Sequence, residues 1–189
     1  MLENKGVKMF VLSISEENLK KLEEIGKHFG NLENKIVKEA LRKAIQVAKK
    51  EDVKAIYRRY SIEKGAVAGA NMKTKTTNLE AVLLGNTKRN KLSGFDISKK
   101  EPGKSKDYIK THIVKYNPQF SWKTLFWAFW KNGTPKLMFR VGKERHKITN
   151  ATSVSTRNMG LQLDDEVIFD KVQQTFTEIL EKRIDEVWG

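Results

Sequence analysis

Apolar residues recur every three or four positions at both ends of the chain, and the spacing shortens toward alternation between them. Ser15 is placed to cap a first helix, with Ile14 and Leu19 at the positions of a hydrophobic staple. Leu19, Leu22, Ile25 and Phe29 follow at helical spacing, and Gly30 suits the residue just past the helix end. Asn31 can cap a second helix that gathers Leu32, Ile36, Val37, Ala40, Leu41, Ala44, Ile45 and Ala48 on one side. That helix continues past Asp52 toward Tyr57, with Glu51-Asp52 as the place for a break. Ser61 then reads as the cap of a short helical turn, Ile62 to Val67, ended by Gly69.

From Met72 the period changes. Met72 to Thr77 alternates weakly, and Leu79 to Leu84 is a short apolar run before Gly85-Asn86, so two strands are expected. Residues 86–107 read as a long, partly mobile basic loop anchored only by Leu92, Phe95 and Ile97. Tyr108 to Tyr116 reads as another strand. Phe126 to Ile148 reads as a hairpin around Asn132-Gly133, because both turn residues tolerate positive φ, followed by a basic segment. A polar stretch, Thr149 to Met159, leads to a last helix. Its stripe is Leu163, Val167, Ile168, Val172, Phe176, Ile179, Leu180, Ile184 and Val187, with Asp164, Asp165 and Glu166 facing the positive helix N-terminus. The order predicts an α+β fold: long N-terminal helices, an antiparallel sheet with a long basic loop, and a C-terminal amphipathic helix packed on the sheet. The regions are 1–70 (helical), 71–160 (sheet, with basic loop 86–107) and 161–189 (final helix), integrated in one domain.

The 189 residues are 39% hydrophobic, which suits one domain, and include no cysteine, which excludes disulfides and thiolate metal sites. No apolar run reaches the roughly 18 residues needed to span a membrane, and no signal-peptide core is seen, so a soluble intracellular product is expected. The net charge of +14 is uneven. Residues 1–51 hold 11 Lys/Arg and 8 Asp/Glu, residues 52–150 hold 22 and 7, and residues 151–189 hold 4 and 8. A basic middle beside an acidic end suits a polyanion, or the stacking of basic on acidic faces between neighbouring subunits; a merely solvated surface is the plainer alternative.

Catalytic chemistry is not legible. His28, His112 and His146 are far apart and lack partners at metal-ligand spacing, and no phosphate-loop, dinucleotide or nucleophile-elbow pattern occurs. The sequence therefore predicts no enzyme, cofactor or metal. Trp122, Phe126, Trp127, Phe129 and Trp130 invite a base-stacking reading. In a strand, however, Phe126, Ala128 and Trp130 share one face and Leu125, Trp127 and Phe129 the other, so packing on both sides is favoured. Met9 to Ser15 followed by two helices resembles a ribbon-helix-helix DNA-binding regulator, the alternative reading. Its outward positions Met9, Val11 and Ser13 nevertheless lack base-reading groups.

A second resemblance covers Ile14 to Val187. Its blocks are the helical region ending in Val53 to Val67, the run Thr77-Asn-Leu-Glu-Ala-Val-Leu-Leu-Gly-Asn, the hairpin order "Phe…Asn-Gly…Phe-Arg-x-Gly-Lys…Ile", and the final amphipathic helix. In order and spacing these resemble the minor tail protein Z family of tailed bacteriophages. The first 13 residues, the lysine-rich stretch at 99–107 and Thr149 to Val154 depart from the family's pattern. The resemblance implies a structural virion protein for tail completion, assembled in the host cytoplasm and located in the tail or neck. It implies a ring, hexameric in form, that touches tail terminator or tube and neck proteins and helps join tail to head. Candidate contacts to channel DNA or acidic partners are Lys73, Lys75, Lys88, Arg89, Lys91, Lys99, Lys100, Lys104 and Lys106. Candidate subunit contacts are Trp127, Phe129, Trp130 and Trp188.

Overall fold

A computed structural model describes residues 7–9, 12–65, 67, 72–77, 80–98, 108–129, 133–142, 147–163 and 166–188. Helix α1 spans Glu16–Phe29 and is capped as its sequence predicts: Ser15 Oγ accepts the Asn18 amide at 3.3 Å. Gly30 leaves the helix at φ +60°, a conformation glycine adopts without steric cost. Only half of the predicted stripe enters the core. Asn18, Leu22 and Ile25 are buried, while Leu19 and Phe29 remain 47% and 57% exposed. The Asn18 side chain is admitted because its amide reaches Glu181 Oε1 on the last helix, at 3.4 Å.

Helix α2 runs unbroken from Leu32 to Arg59, without the break expected at Glu51-Asp52. No proline or glycine interrupts this span, so nothing local forces a kink. Asn31 stands at the cap position but makes no side-chain cap bond. Two neighbouring stripes of α2 are buried, Ile36-Ala40-Ala44-Ala48 and Leu41-Ile45-Asp52-Ile56. Two stripes are needed because α2 lies between a helix and a sheet. On one side is α4 (Glu166–Trp188), with its buried row Ile168, Val172, Phe176, Leu180 and Ile184. On the other is a three-stranded antiparallel sheet made of β1 (Val7–Met9), β2 (Met72–Thr76) and β3 (Ala81–Gly85) in the order β1-β3-β2. The expectation that the last helix packs on the sheet is corrected here: α4 packs chiefly along α2 and α1. Val167 of its predicted stripe is 76% exposed. Glu166 opens the helix as expected, whereas Asp164 and Asp165 lie outside the described residues.

Beyond α2 the chain becomes extended. Residues 60–62 form bridges from Tyr60 to Val114 and from Ile62 to Phe95, where a helical turn starting at Ile62 was expected. Ser61 does not cap; its hydroxyl donates to the His112 carbonyl. Burial raises the Tyr60 phenol, which donates to Gln162 Oε1 at 2.6 Å. The supposed loop 86–107 is structured in its first part. It contains β4 (Arg89–Lys91), a 3₁₀ turn at Leu92–Gly94 and β5 (Asp96–Ile97), with Leu92, Phe95 and Ile97 buried as its anchors. β5 pairs with β6 (Ile109–His112), which pairs with β7 (Phe120–Trp122).

The expected hairpin is present as β8 (Leu125–Phe129) and β9 (Pro135–Arg140), paired antiparallel from Leu125–Phe139 to Phe129–Pro135. Asn132 and His146 lie outside the described residues; Gly133 has φ +75°. The polar stretch after it is not a plain linker. β10 (Ile148–Asn150) joins β9, and β11 (Thr152–Ser155) joins β4. Ala151 bridges the two pairings, donating its amide to Leu137 and accepting from Leu92. Short helix α3 (Thr156–Leu161) follows, capped by Ser155 Oγ on the Asn158 amide at 3.2 Å.

α3 presses on the end of β3. A Cβ built on Gly85 would sit 2.7 Å from the Arg157 Cα, so only glycine permits this approach. One hydrophobic cluster links α1, α2, the strands and α4.

Candidate functional site

Strand alternation fixes the direction of the predicted cations. On β2, Met72 is buried, Thr74 accepts from Gln46 Nε2 of α2 at 3.1 Å, and Lys73 and Lys75 are exposed between them. On β4, Asn90 turns inward, its amide donating to the Val154 carbonyl at 2.7 Å, so Arg89 and Lys91 project outward. Lys88 sits in a turn held by its own amide on Asn86 Oδ1, at 2.9 Å. Register brings Met72 opposite Gly85 and Lys73 opposite Leu84. Lys73 thus lies near the end of β3, from which the chain reaches Lys88 three residues later. Lys99, Lys100, Lys104 and Lys106 lie outside the described residues.

The charges of the helical layer are arranged differently. Glu39 binds Lys43 at 2.9 Å and Arg183 at 2.8 Å, tying α2 to α4. Glu51 does the same through Lys54 and Lys171, both at 2.9 Å. Hydrogen bonds from Arg183 and Lys43 hold the Glu39 carboxyl down at about 2, and those from Lys54 and Lys171 do the same for Glu51. Helices α1, α2 and α4 together carry 15 Lys/Arg against 14 Asp/Glu, a net of +1. Residues 60–163 carry 20 against 6, a net of +14. Among the described residues, no acidic side chain pairs with Lys73, Lys75, Lys88, Arg89 or Lys91.

The aromatic candidates separate. Trp127 is half-buried and packs against the core, and Phe129, at the strand end, is 68% exposed. Trp130 and the side chain of Trp188 lie outside the described residues. Trp122 packs edge-on against Phe139 with ring centres 6.0 Å apart, and its indole donates to Thr111 Oγ1 at 2.6 Å. Arg140 lies 5.5 Å over the Phe126 ring. Most of the described members of this cluster are thus engaged within the chain, and among them Phe129 points outward.

The sequence reading passed over a groove of ≈ 390 Å³ between the end of α2 and the turn after β6, lined by Arg58, Arg59, Val114, Tyr116 and Asn117. The neighbouring pair Lys115-Tyr116 was its only local signal, and placing Tyr116 in a strand concealed the turn. Among the described residues no group of three or more His, Cys, Asp or Glu side chains could hold a metal. No described helix is long and apolar enough to cross a membrane. Compared with protein-family models, curated proteins and solved structures, the chain matches none.

Proposed function

We propose that this chain is a structural, non-enzymatic protein of a tailed-phage particle. It completes the tail at its head-proximal end as a ring, hexameric in form, around the DNA channel. The observation that carries this reading is the segregation of charge: helices near neutrality, and strands with outward cations that no described acid pairs with. Placed Lys and Arg contact phosphates without reading sequence, so the surface suits duplex DNA of any sequence passing through a channel. The order of sequence blocks that resembles the minor tail protein Z family supports the same role. Phe129 and the acidic outer side of α4 offer contacts to a neighbouring copy or to terminator, tube and neck proteins, all within a virion.

Electron microscopy of particles assembled without the protein tests the role. The expected result is complete tail tubes that fail to join heads. Normal joined particles, or no tubes at all, would refute it.

A further inference from the structure

We propose that the groove between the end of α2 and the turn after β6 is a binding site for single-stranded nucleic acid. In this site Tyr116 stacks on a base and Arg58 meets the adjoining phosphate. The site uses none of the strand cations assigned above and does not depend on the virion reading.

Exposure, a pinned turn and an unengaged cation carry it. Tyr116 is 85% exposed, the most exposed large hydrophobic side chain among the described residues, and a ring held in water is available to a planar partner. Its turn is nonetheless fixed. The Asn117 amide donates to the Val114 carbonyl at 3.1 Å, the Lys115 amide to the Arg59 carbonyl at 2.9 Å, and Tyr60 bridges Val114. The ring is thus presented on a pinned backbone, which lowers the ordering cost of binding.

The cations divide their work. Arg59 donates to the Gln162 carbonyl and Lys115 Nζ to the Tyr57 carbonyl at 2.6 Å, so both are tethered. Arg58, exposed on the last turn of α2, has no partner among the described residues.

A helix C-terminus ordinarily repels an anion, but here three of its last four carbonyls are occupied. Those of Ile56, Tyr57 and Arg59 accept from the Tyr60 amide, Lys115 Nζ and the Lys115 amide. No acidic residue lines the groove. A guanidinium beside an exposed ring, with an amide from Asn117 within the same groove, matches the phosphate and base of one nucleotide.

The test is a titration of a labelled 12-mer of deoxythymidine, at about 50 mM salt, read by fluorescence anisotropy beside a 12-base-pair duplex. The wild type is expected to bind the single strand. Tyr116→Ala and Arg58→Glu should each weaken that binding roughly tenfold, the loss of one stacked base or one placed charge. Tyr116→Phe should bind as the wild type does, and Tyr116→Ala should leave duplex binding unchanged. Equal melting temperatures would show that both Tyr116 variants are folded. The proposal is overturned if the wild type ignores the single strand or if Tyr116→Ala and Arg58→Glu bind it normally. It is overturned too if Tyr116→Phe loses as much as Tyr116→Ala, or if Tyr116→Ala weakens the duplex equally.

Discussion

The helical and stranded halves of this molecule use charge in opposite ways. In the helices, acids and bases are nearly equal in number, and the ion pairs that matter cross between elements, Glu39 to Arg183 and Glu51 to Lys171. In the strands, alternation sends Met72, Thr74 and Asn90 inward and Lys73, Lys75, Arg89 and Lys91 outward, beyond the reach of any described acid. The first arrangement holds a fold together. The second leaves charge for something outside the chain. Self-repulsion in the strand half is tolerated because those side chains are exposed, where solvent and salt screen them.

Changes to the helical half should therefore cost stability and changes to the strand cations should cost binding. The largest effect is expected from Phe176→Ala, which empties the middle of the α4 row. A loss of about 3–5 kcal/mol by denaturant titration is predicted. Gly85→Ala comes next, because a Cβ would meet the Arg157 backbone rather than a movable side-chain tip. A loss of about 1–3 kcal/mol is expected in the same assay.

Glu39→Gln should cost less, about 0.2–1 kcal/mol, because the site is partly open to solvent. Its pH signature has a definite sign. The folded carboxyls of Glu39 and Glu51 titrate at about 2 against an ordinary 4.5, so their contribution is present above pH 4.5 and fades as pH falls toward 2. Thermal melts over that window should fall more steeply for the wild type than for a Glu39→Gln, Glu51→Gln double variant. Smallest of all should be the stability change of Lys73→Glu, Lys75→Glu and Arg89→Glu, each within about 0.5 kcal/mol of zero. A large loss there would blur the division between the halves.

Local signals were legible where chemistry is local. Ser15 and Gly30 bound α1, Leu92, Phe95 and Ile97 anchor the chain where they should, and the β8–β9 hairpin follows its pattern. What faces a buried stripe was not legible. The α4 row shows that one side must be covered, yet nothing in its spacing distinguishes α2 from a sheet. Ile148, Thr149 and Asn150 are all exposed, so β10 carries no alternation to read, and its pairing with β9 sets its conformation. Ile62 likewise takes its extended form from Phe95 across the fold. At the candidate site, Lys73 and Lys75 could be read from composition and strand period, whereas Arg89 and Lys91 read as loop residues and gain their outward direction from β4. Their lack of acidic partners depends on where glutamates fall in three dimensions. The Arg58–Tyr116 groove joins residues far apart in sequence, and the pair Lys115-Tyr116 alone could not show that Arg58 lies beside it.

The central claim, that Lys73, Lys75, Arg89 and Lys91, which no described acid pairs with, face a polyanion, is tested most directly by duplex DNA binding measured against salt. The account predicts binding without sequence preference, with log affinity falling by about 0.9 per log unit of salt for each phosphate contacted. Lys73→Glu, Lys75→Glu and Arg89→Glu together should flatten that slope while melting temperature holds. No affinity at low salt, or an unchanged slope in the triple variant, would contradict it and reassign the basic surface to protein partners.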